Sequence, residues 1–350
     1  MRILFVDSGA KGFHSRYAFD IFFTLKKLRH KVRQISPPQL SPKLIQKFQP
    51  DVLLVVHGTR TPLYHVRYAR SLGVKTVLWI VEDPYEIDLH RGEMVEAYDL
   101  VYTNERQAVK HYKPVKVSYL PWCCNPEVHR RMEVGEEYQS DLCFVGMGFP
   151  NRLRIINAIA PLLKKLNVKL IGRWERWGEL HPDLHKFVLP VENDFYEVQK
   201  YFNGAKINLN IHRDPVNPPS GNSRKVGATS PNDRTFALAG CGAFQLVDAT
   251  RPDLLDCFVE NKEIVLFTSP RDLARKIEYY LANPKLRQKI GKAAQKRAYR
   301  EHTFERRLKQ IFTDLGTIPK KNRLAALSQP TVYNLRNEYV SNEEIWRFRG

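Results

Sequence analysis

Carboxylates are scarce in this chain of 350 residues. Its 37 Asp and Glu stand against 56 Lys and Arg, a formal charge of +19. That balance favours anionic partners (nucleotides, nucleic acid or an anionic membrane face) without choosing among them. Cysteine is also sparse. Five cysteines, two of them adjacent (Cys123 and Cys124), give neither a disulfide framework nor zinc-ligand spacing. A reducing setting is the simpler reading, so a cytoplasmic location is expected. No apolar run reaches the roughly 18 residues of a membrane span. The opening run Met1–Asp7 is too short for a signal peptide and ends in a charge. P-loop, H-E-x-x-H, G-x-S-x-G, G-x-G-x-x-G and Asp-x-Asp patterns are all missing. Neither a bound metal nor a resident cofactor is therefore expected. There is no short repeat and no heptad run.

What the chain does have is apolar content, 43% of its residues, enough for two packed cores. Apolar strands alternate with amphipathic segments. Strand-like runs fall at Ile3–Val6, Val52–Val56, Val74–Val81, Leu100–Tyr102 and Val115–Leu120. Between them, Tyr17, Ile21, Leu25 and Leu28 recur at helical spacing, and the segments Pro62–Leu72 and Asn104–Tyr112 read as amphipathic. After a Pro-, Cys- and Asn-bearing stretch the pattern restarts, with runs at Leu142–Val145, Val168–Ile171, Ile207–Ile211, Phe244–Val247 and Ile264–Phe267. Continuous apolar strands between helices imply parallel sheets covered on both faces. The fold class expected is α/β: two Rossmann-like, doubly wound parallel-sheet domains with a cleft between them. The boundaries read as 1–120, a linker 121–139, a second domain 140–315, and a polar tail 316–350 that packs back on the first domain or stays mobile. Ligands in such sheets bind beyond the carboxyl ends of the strands.

The segment Ser230–Asp248 reads as a polar turn, a short helix of small residues, a glycine stop and a buried strand. Asn232 or Ser230 can cap that helix, whose unpaired N–H groups and dipole suit an anion. Asp233, Arg234 and Thr235 fill its first turn, and Gly242 ends it. An arginine opposes the dipole there, and a bound diphosphate would account for it. Gly146, Gly148 and Arg152 repeat this logic, with a glycine-bearing turn, a proline near the first helical position and then an arginine. Arg224 and Lys225 lie in the long Arg213–Pro231 loop, where they can close over a phosphate. At first-half strand ends stand Gly9, Lys11, Gly12 and His14, then His57, Thr59 and Arg60, then Glu82 and Asp83. His14 and Asp83 are the candidate bases, and Glu82 and Asp83 point different ways if the backbone is extended. Lys285, Arg287, Lys289, Lys292, Lys296, Arg297 and Arg300 make a basic helix, a solvated face or a peripheral contact with anionic membrane.

Taken in order, Tyr201–His212, Arg234–Phe236 with Gly242–Phe244, Leu254–Phe267 and His302–Arg307 resemble the CgeB-like (spore maturation protein) glycosyltransferases. Trp79–Pro84 and Leu120–Pro121 add to the likeness, which spans roughly residues 1–315. The resemblance implies a GT-B fold and metal-independent sugar transfer. It implies a nucleotide-sugar donor, a UDP-sugar, held mainly by the second half, His212 included, and an acceptor near the first. Relatives carry a glutamate where this chain has Ala237, and the partner position eight residues earlier is Thr229. Either Asn232 or Asp233 then takes the ribose, with Asp248 and Glu260 nearby, or donor binding is weakened.

The expected activity is thus glycosyl transfer to an unidentified glycan, protein or lipid. Two rival classes remain: a non-catalytic nucleotide- or sugar-binding protein of the same fold, and a basic nucleic-acid binder. The second has no reading module, so no specific nucleic acid is expected as partner.

Overall fold

The computed structural model describes residues 1–10, 13–174, 176, 178–189, 195–216 and 221–316. Among the described residues, twelve parallel strands form two sheets. The first holds β1 (Arg2–Val6), β2 (Lys31–Ile35), β3 (Val52–Val56), β4 (Lys75–Ile80), β5 (Leu100–Thr103) and β6 (Val117–Tyr119), in the order β2-β1-β3-β4-β5-β6. The second holds β7 (Ser140–Val145), β8 (Val168–Ile171), β9 (Val188–Leu189), β10 (Ala205–Asn210), β11 (Gln245–Asp248) and β12 (Val265–Phe267), in the order β12-β11-β10-β7-β8-β9. This is the doubly wound α/β architecture expected.

Central strands are buried end to end, as β3 is, because helices cover both faces. On one face of the first sheet, Leu4, Val6, Leu53, Val55 and Leu78 pack with Val66 and Ala69. On the other, Ile3, Phe5, Leu54 and Trp79 pack with Tyr17, Ile21 and Leu25, and also with Phe304, Leu308, Ile311 and Leu315 from the chain's far end. The helix Phe304–Gly316 therefore returns to the first sheet, and Tyr102 donates its hydroxyl to Asp314 at 2.6 Å. The segment after β6 is stitched to the same region. Arg307 donates to the carbonyls of Pro121 and Trp122, and Cys124 pairs with Thr303. Residues 317–350, the expected tail, lie outside the described residues.

Three details differ from the sequence reading, the first being the two-residue strand β9, which no apolar run marked. Strand β2 has three exposed residues in five and carries no apolar run, so it was not foreseen. Arg106–Tyr112 is a 3-10 helix rather than an amphipathic α-helix. Strand order reverses between β1 and β3 and again between β7 and β10, and each reversal opens a crevice at the strand ends.

Candidate active site

The crevice of the second sheet begins at Gly146, directly after β7. A side-chain carbon there would lie 2.8 Å from Arg234 Nη2 and 3.2 Å from Arg152 Nη1. Two guanidiniums thus converge on one glycine. Arg152 comes from the first turn of the helix Pro150–Ala158, and Arg234 from the first turn of the helix Asp233–Gly240. Both lie against the Phe144 ring, at 5.4 and 5.1 Å from its centroid. Among the described residues Arg152 donates to the carbonyls of Ile211 (2.9 Å) and Met147 (3.1 Å), and Arg234 to the Asn210 amide oxygen (3.2 Å). Neither has a carboxylate partner among the described residues. Burial pushes both guanidinium pKa values down; the neighbouring Arg234 lowers Arg152's further, while Asp233 and Asp248 oppose the shift at Arg234. Two cations side by side, Arg152 buried and Arg234 half-buried, neither in an ion pair among the described residues, are costly unless an anion joins them.

The Asp233–Gly240 helix aims its start at the same place. Asn232 caps it, accepting from the Thr235 N–H at 3.0 Å. A buried amide network holds the cap: Asn232 Nδ2 donates to Asn210 (2.9 Å), and Asn210 Nδ2 donates to Thr235 Oγ1 (2.9 Å) and Gln245 (3.3 Å). Thr235 is fully buried within it and serves the cap. Beside it stands His212, at the end of β10. Its backbone N–H and its Nδ1 both meet Asp248 Oδ2, at 2.5 and 2.9 Å. The imidazole and the Thr250 hydroxyl hold the Asp248 carboxyl well below the usual carboxylate range, against the effect of burial. Burial in turn pushes the His212 pKa down. A neutral ring donating from Nδ1 to Asp248 leaves Nε2 as an acceptor, buried and without a hydrogen-bond partner among the described residues.

These groups line a cavity of about 370 Å³ between the two sheets. The second half gives it Gly146, Arg152, His212, Asn232, Asp233 and Arg234; the first half gives Arg16, Tyr17, Glu82, Asp83, Tyr85 and Glu105. Ala237 also faces it, in an apolar stretch with Val145, Val198 and Phe202, so no carboxylate stands at that position.

The Glu82–Asp83 pair does split. Asp83 touches the cavity wall, but its carboxylate is turned into the first domain. It accepts from Thr103 Oγ1 at 2.5 Å and from the Tyr112 hydroxyl at 2.7 and 2.9 Å. Burial raises its pKa to about 7, the two hydroxyls opposing. His90 stands 3.7 Å away, held neutral by burial with a pKa lowered to about 3. Asp83 is thereby a brace for the loops beneath the cleft.

The remaining expected residues scatter. Gly242 sits at the far end of its helix, where its backbone oxygen abuts Gly291. Gly148 serves close packing, since a side-chain carbon would meet the Trp174 backbone oxygen at 2.7 Å. Arg224 and Lys225 are exposed and outside the cavity. His57 is buried, with a φ of 65°, and faces Glu86 at 3.1 Å. Arg60 donates to the Gly9 carbonyl across the first sheet's crevice, and Thr59 lies in the turn between His57 and Arg60. Lys11 and Gly12 lie outside the described residues, as does the side chain of His14.

Sequence reasoning missed Arg16 and Glu105. Glu105 reaches across the cleft and accepts from the Thr229 N–H (3.0 Å) and hydroxyl (3.1 Å) and from the Ser230 N–H (3.2 Å). Arg106 beside it pairs with Asp253 (3.0 Å) and Asp256 (2.7 Å). The described part of the 213–231 loop follows the same path. Val226 is buried in the first domain's core, Gly221 exchanges backbone hydrogen bonds with Tyr85 and Asp88, and Arg213 lies between the Tyr85 and Phe149 rings. No pairwise sequence signal marks such contacts; those of Glu105 and Arg106 join residues 124 or more apart.

Residues 152–313 match the glycosyl transferase-like family. The chain is 27% identical over 322 residues to the spore protein CgeB of Bacillus subtilis (strain 168), covering 87% of this chain and 96% of that protein. Among solved structures it resembles an alpha-glucosyltransferase in complex with UDP (TM-score 0.66, 11% identity, 91% of this chain and 100% of that one). It also resembles the sucrose-phosphate synthase of Thermosynechococcus elongatus (0.61, 12%, 90% and 99%) and Anabaena HepE in complex with UDP and glucose (0.60, 13%, 91% and 100%). The fold is that of the GT-B glycosyltransferases.

Proposed function

We propose that this CgeB-like chain, a glycosyltransferase by domain and by fold, takes a UDP-sugar as donor and passes its sugar to an acceptor bound against the first domain. One observation carries the reading: the pair Arg152–Arg234 at Gly146, without an ion pair among the described residues, in front of a capped helix start. A diphosphate placed there meets two guanidiniums and free backbone N–H groups, and these stabilise the charge that develops on the leaving group. In this reading the arginines perform the neutralisation that a metal ion performs elsewhere. His212, oriented by Asp248, offers its Nε2 lone pair to a donor hydroxyl. Glu82, on the cavity wall, faces the acceptor in this reading, while the Asp83 carboxylate is taken up by Thr103 and Tyr112. Thr229 is held by Glu105, and Ala237 offers no acceptor, so the ribose falls to Asp233 at the cavity wall.

The test is calorimetric titration with UDP and UDP-sugars in the presence of a chelator. UDP binding is expected, weakened by Arg234→Ala by about 1.5–3 kcal/mol, as for a hydrogen bond to a charged group. Donor hydrolysis or transfer should fall with it. No binding of any nucleoside diphosphate would overturn the reading. Binding without turnover by any donor would favour the non-catalytic alternative, to which the apolar wall at Ala237 already lends an observation.

A further inference from the structure

The first domain carries a surface that neither its core nor its cleft explains. On the helix Phe13–Lys27, Phe19 and Phe23 are 44% and 38% exposed, with ring centroids 6.0 Å apart and nearly parallel. They stand one helical turn apart, with Lys26 continuing the same face. From residue 21 to residue 50 the chain has seven Lys and Arg and no Asp or Glu. Lys26, Lys27, Arg29, Lys31 and Arg33 are all exposed, at the end of this helix and along the edge strand β2. Among the described residues only Lys27 of that run has an ion pair, with Glu127 at 2.8 Å. A groove of about 320 Å³ adjoins Phe23, between this helix and Phe304–Gly316. Lys27, Arg306 and Lys309 line it, together with Glu305, which holds Lys309 at 2.6 Å.

We infer that this face binds an anionic lipid bilayer, with Phe19 and Phe23 seated at the interface and the cations of residues 26–33 on the headgroups. Edge-strand protection accounts for charge on β2 but not for an exposed aromatic pair. Nucleic acid would use the cations and does not call for the two rings. Aromatic anchors flanked by cations are what an anionic interface holds. The same helix lends Arg16 and Tyr17 to the cavity wall, so a bound molecule presents its cleft beside the lipid surface. Under the glycosyltransferase reading, the acceptor is then membrane-borne. The lipid contact itself does not depend on that reading.

The experiment is co-sedimentation of the full chain with phosphatidylcholine vesicles, with and without phosphatidylglycerol. Binding is expected only with the anionic lipid. The variant Phe19→Ser with Phe23→Ser should lose about tenfold in partitioning, as expected for withdrawing two half-exposed rings from lipid. Lys26→Gln, Lys31→Gln and Arg33→Gln should each cost about fivefold. Melting temperature and UDP binding in solution should stay unchanged, which separates this proposal's failure from that of the donor site. Three results would overturn it: no sedimentation with anionic vesicles, sedimentation indifferent to the Phe pair, or displacement by an oligonucleotide that the Phe variant binds equally well.

Discussion

At the scale of single residues, the cleft separates groups that act from groups that brace. Asp83 illustrates the difference through its proton. Its folded pKa is raised from 3.8 to about 7, so between those values the folded state holds a proton that the unfolded state has released. Stability from Asp83 is therefore full below pH 4 and lost as the pH rises toward 7. His90 runs the other way. Its folded pKa is lowered from 6.5 to about 3, so its contribution is gained as the pH rises through that window. The two slopes oppose one another between about pH 4 and 6.5. Asp83→Asn removes one of them, and the variant should gain stability relative to the parent as the pH climbs from 4.5 to 6.5. Urea midpoints at the two pH values check this, and a difference between variant and parent that does not change with pH refutes it. From sequence, Asp83 was a candidate base and Glu82 its neighbour at the same strand end. Only the positions of Thr103 and Tyr112, 20 and 29 residues on, decide which carboxylate turns inward.

Elements were legible where burial wrote itself as an apolar run. Strands β3, β4, β7, β8 and β11 lie within two residues of their runs, because a parallel strand covered on both faces has no polar side to interrupt it. The cap at Asn232 and the arginine after it were legible for a local reason too, since a helix start is specified by adjacent residues. Strand β2 was not, because an edge strand is half solvated and reads Lys-Val-Arg-Gln-Ile. The loop after β10 was seen as long and polar, but not that it docks on the other domain. That docking rests on Glu105, whose carboxylate takes the Thr229 and Ser230 N–H groups. Glu105→Ala leaves these donors without their acceptor in a buried setting, at a cost of about 1–3 kcal/mol. Urea unfolding should show that loss. Glu105→Gln should recover part of it, because the amide oxygen still accepts from one of the two N–H groups.

The whole molecule has two sheets but not two independent cores. The cluster that covers one face of the first sheet contains Phe236, Val247, Leu254 and Ala294 from the second half, together with Phe304, Leu308 and Ile311. The Phe304–Gly316 helix is the last described element, yet it packs on the Phe13–Lys27 helix, near the start of the chain. Separating the halves would expose this apolar surface and would also break the Glu105 and Arg106 clasp. A two-domain chain of this length ordinarily unfolds in steps. Here the shared core should hold the halves to a single cooperative transition. Differential scanning calorimetry should give one endotherm whose van't Hoff and calorimetric enthalpies agree. UDP at about 100 times its dissociation constant should move that endotherm as a unit, by the temperature equivalent of about 2.7 kcal/mol. Two endotherms, with UDP shifting only one, would show that the donor half melts on its own. The shared cluster would then be a contact between finished domains rather than a common core.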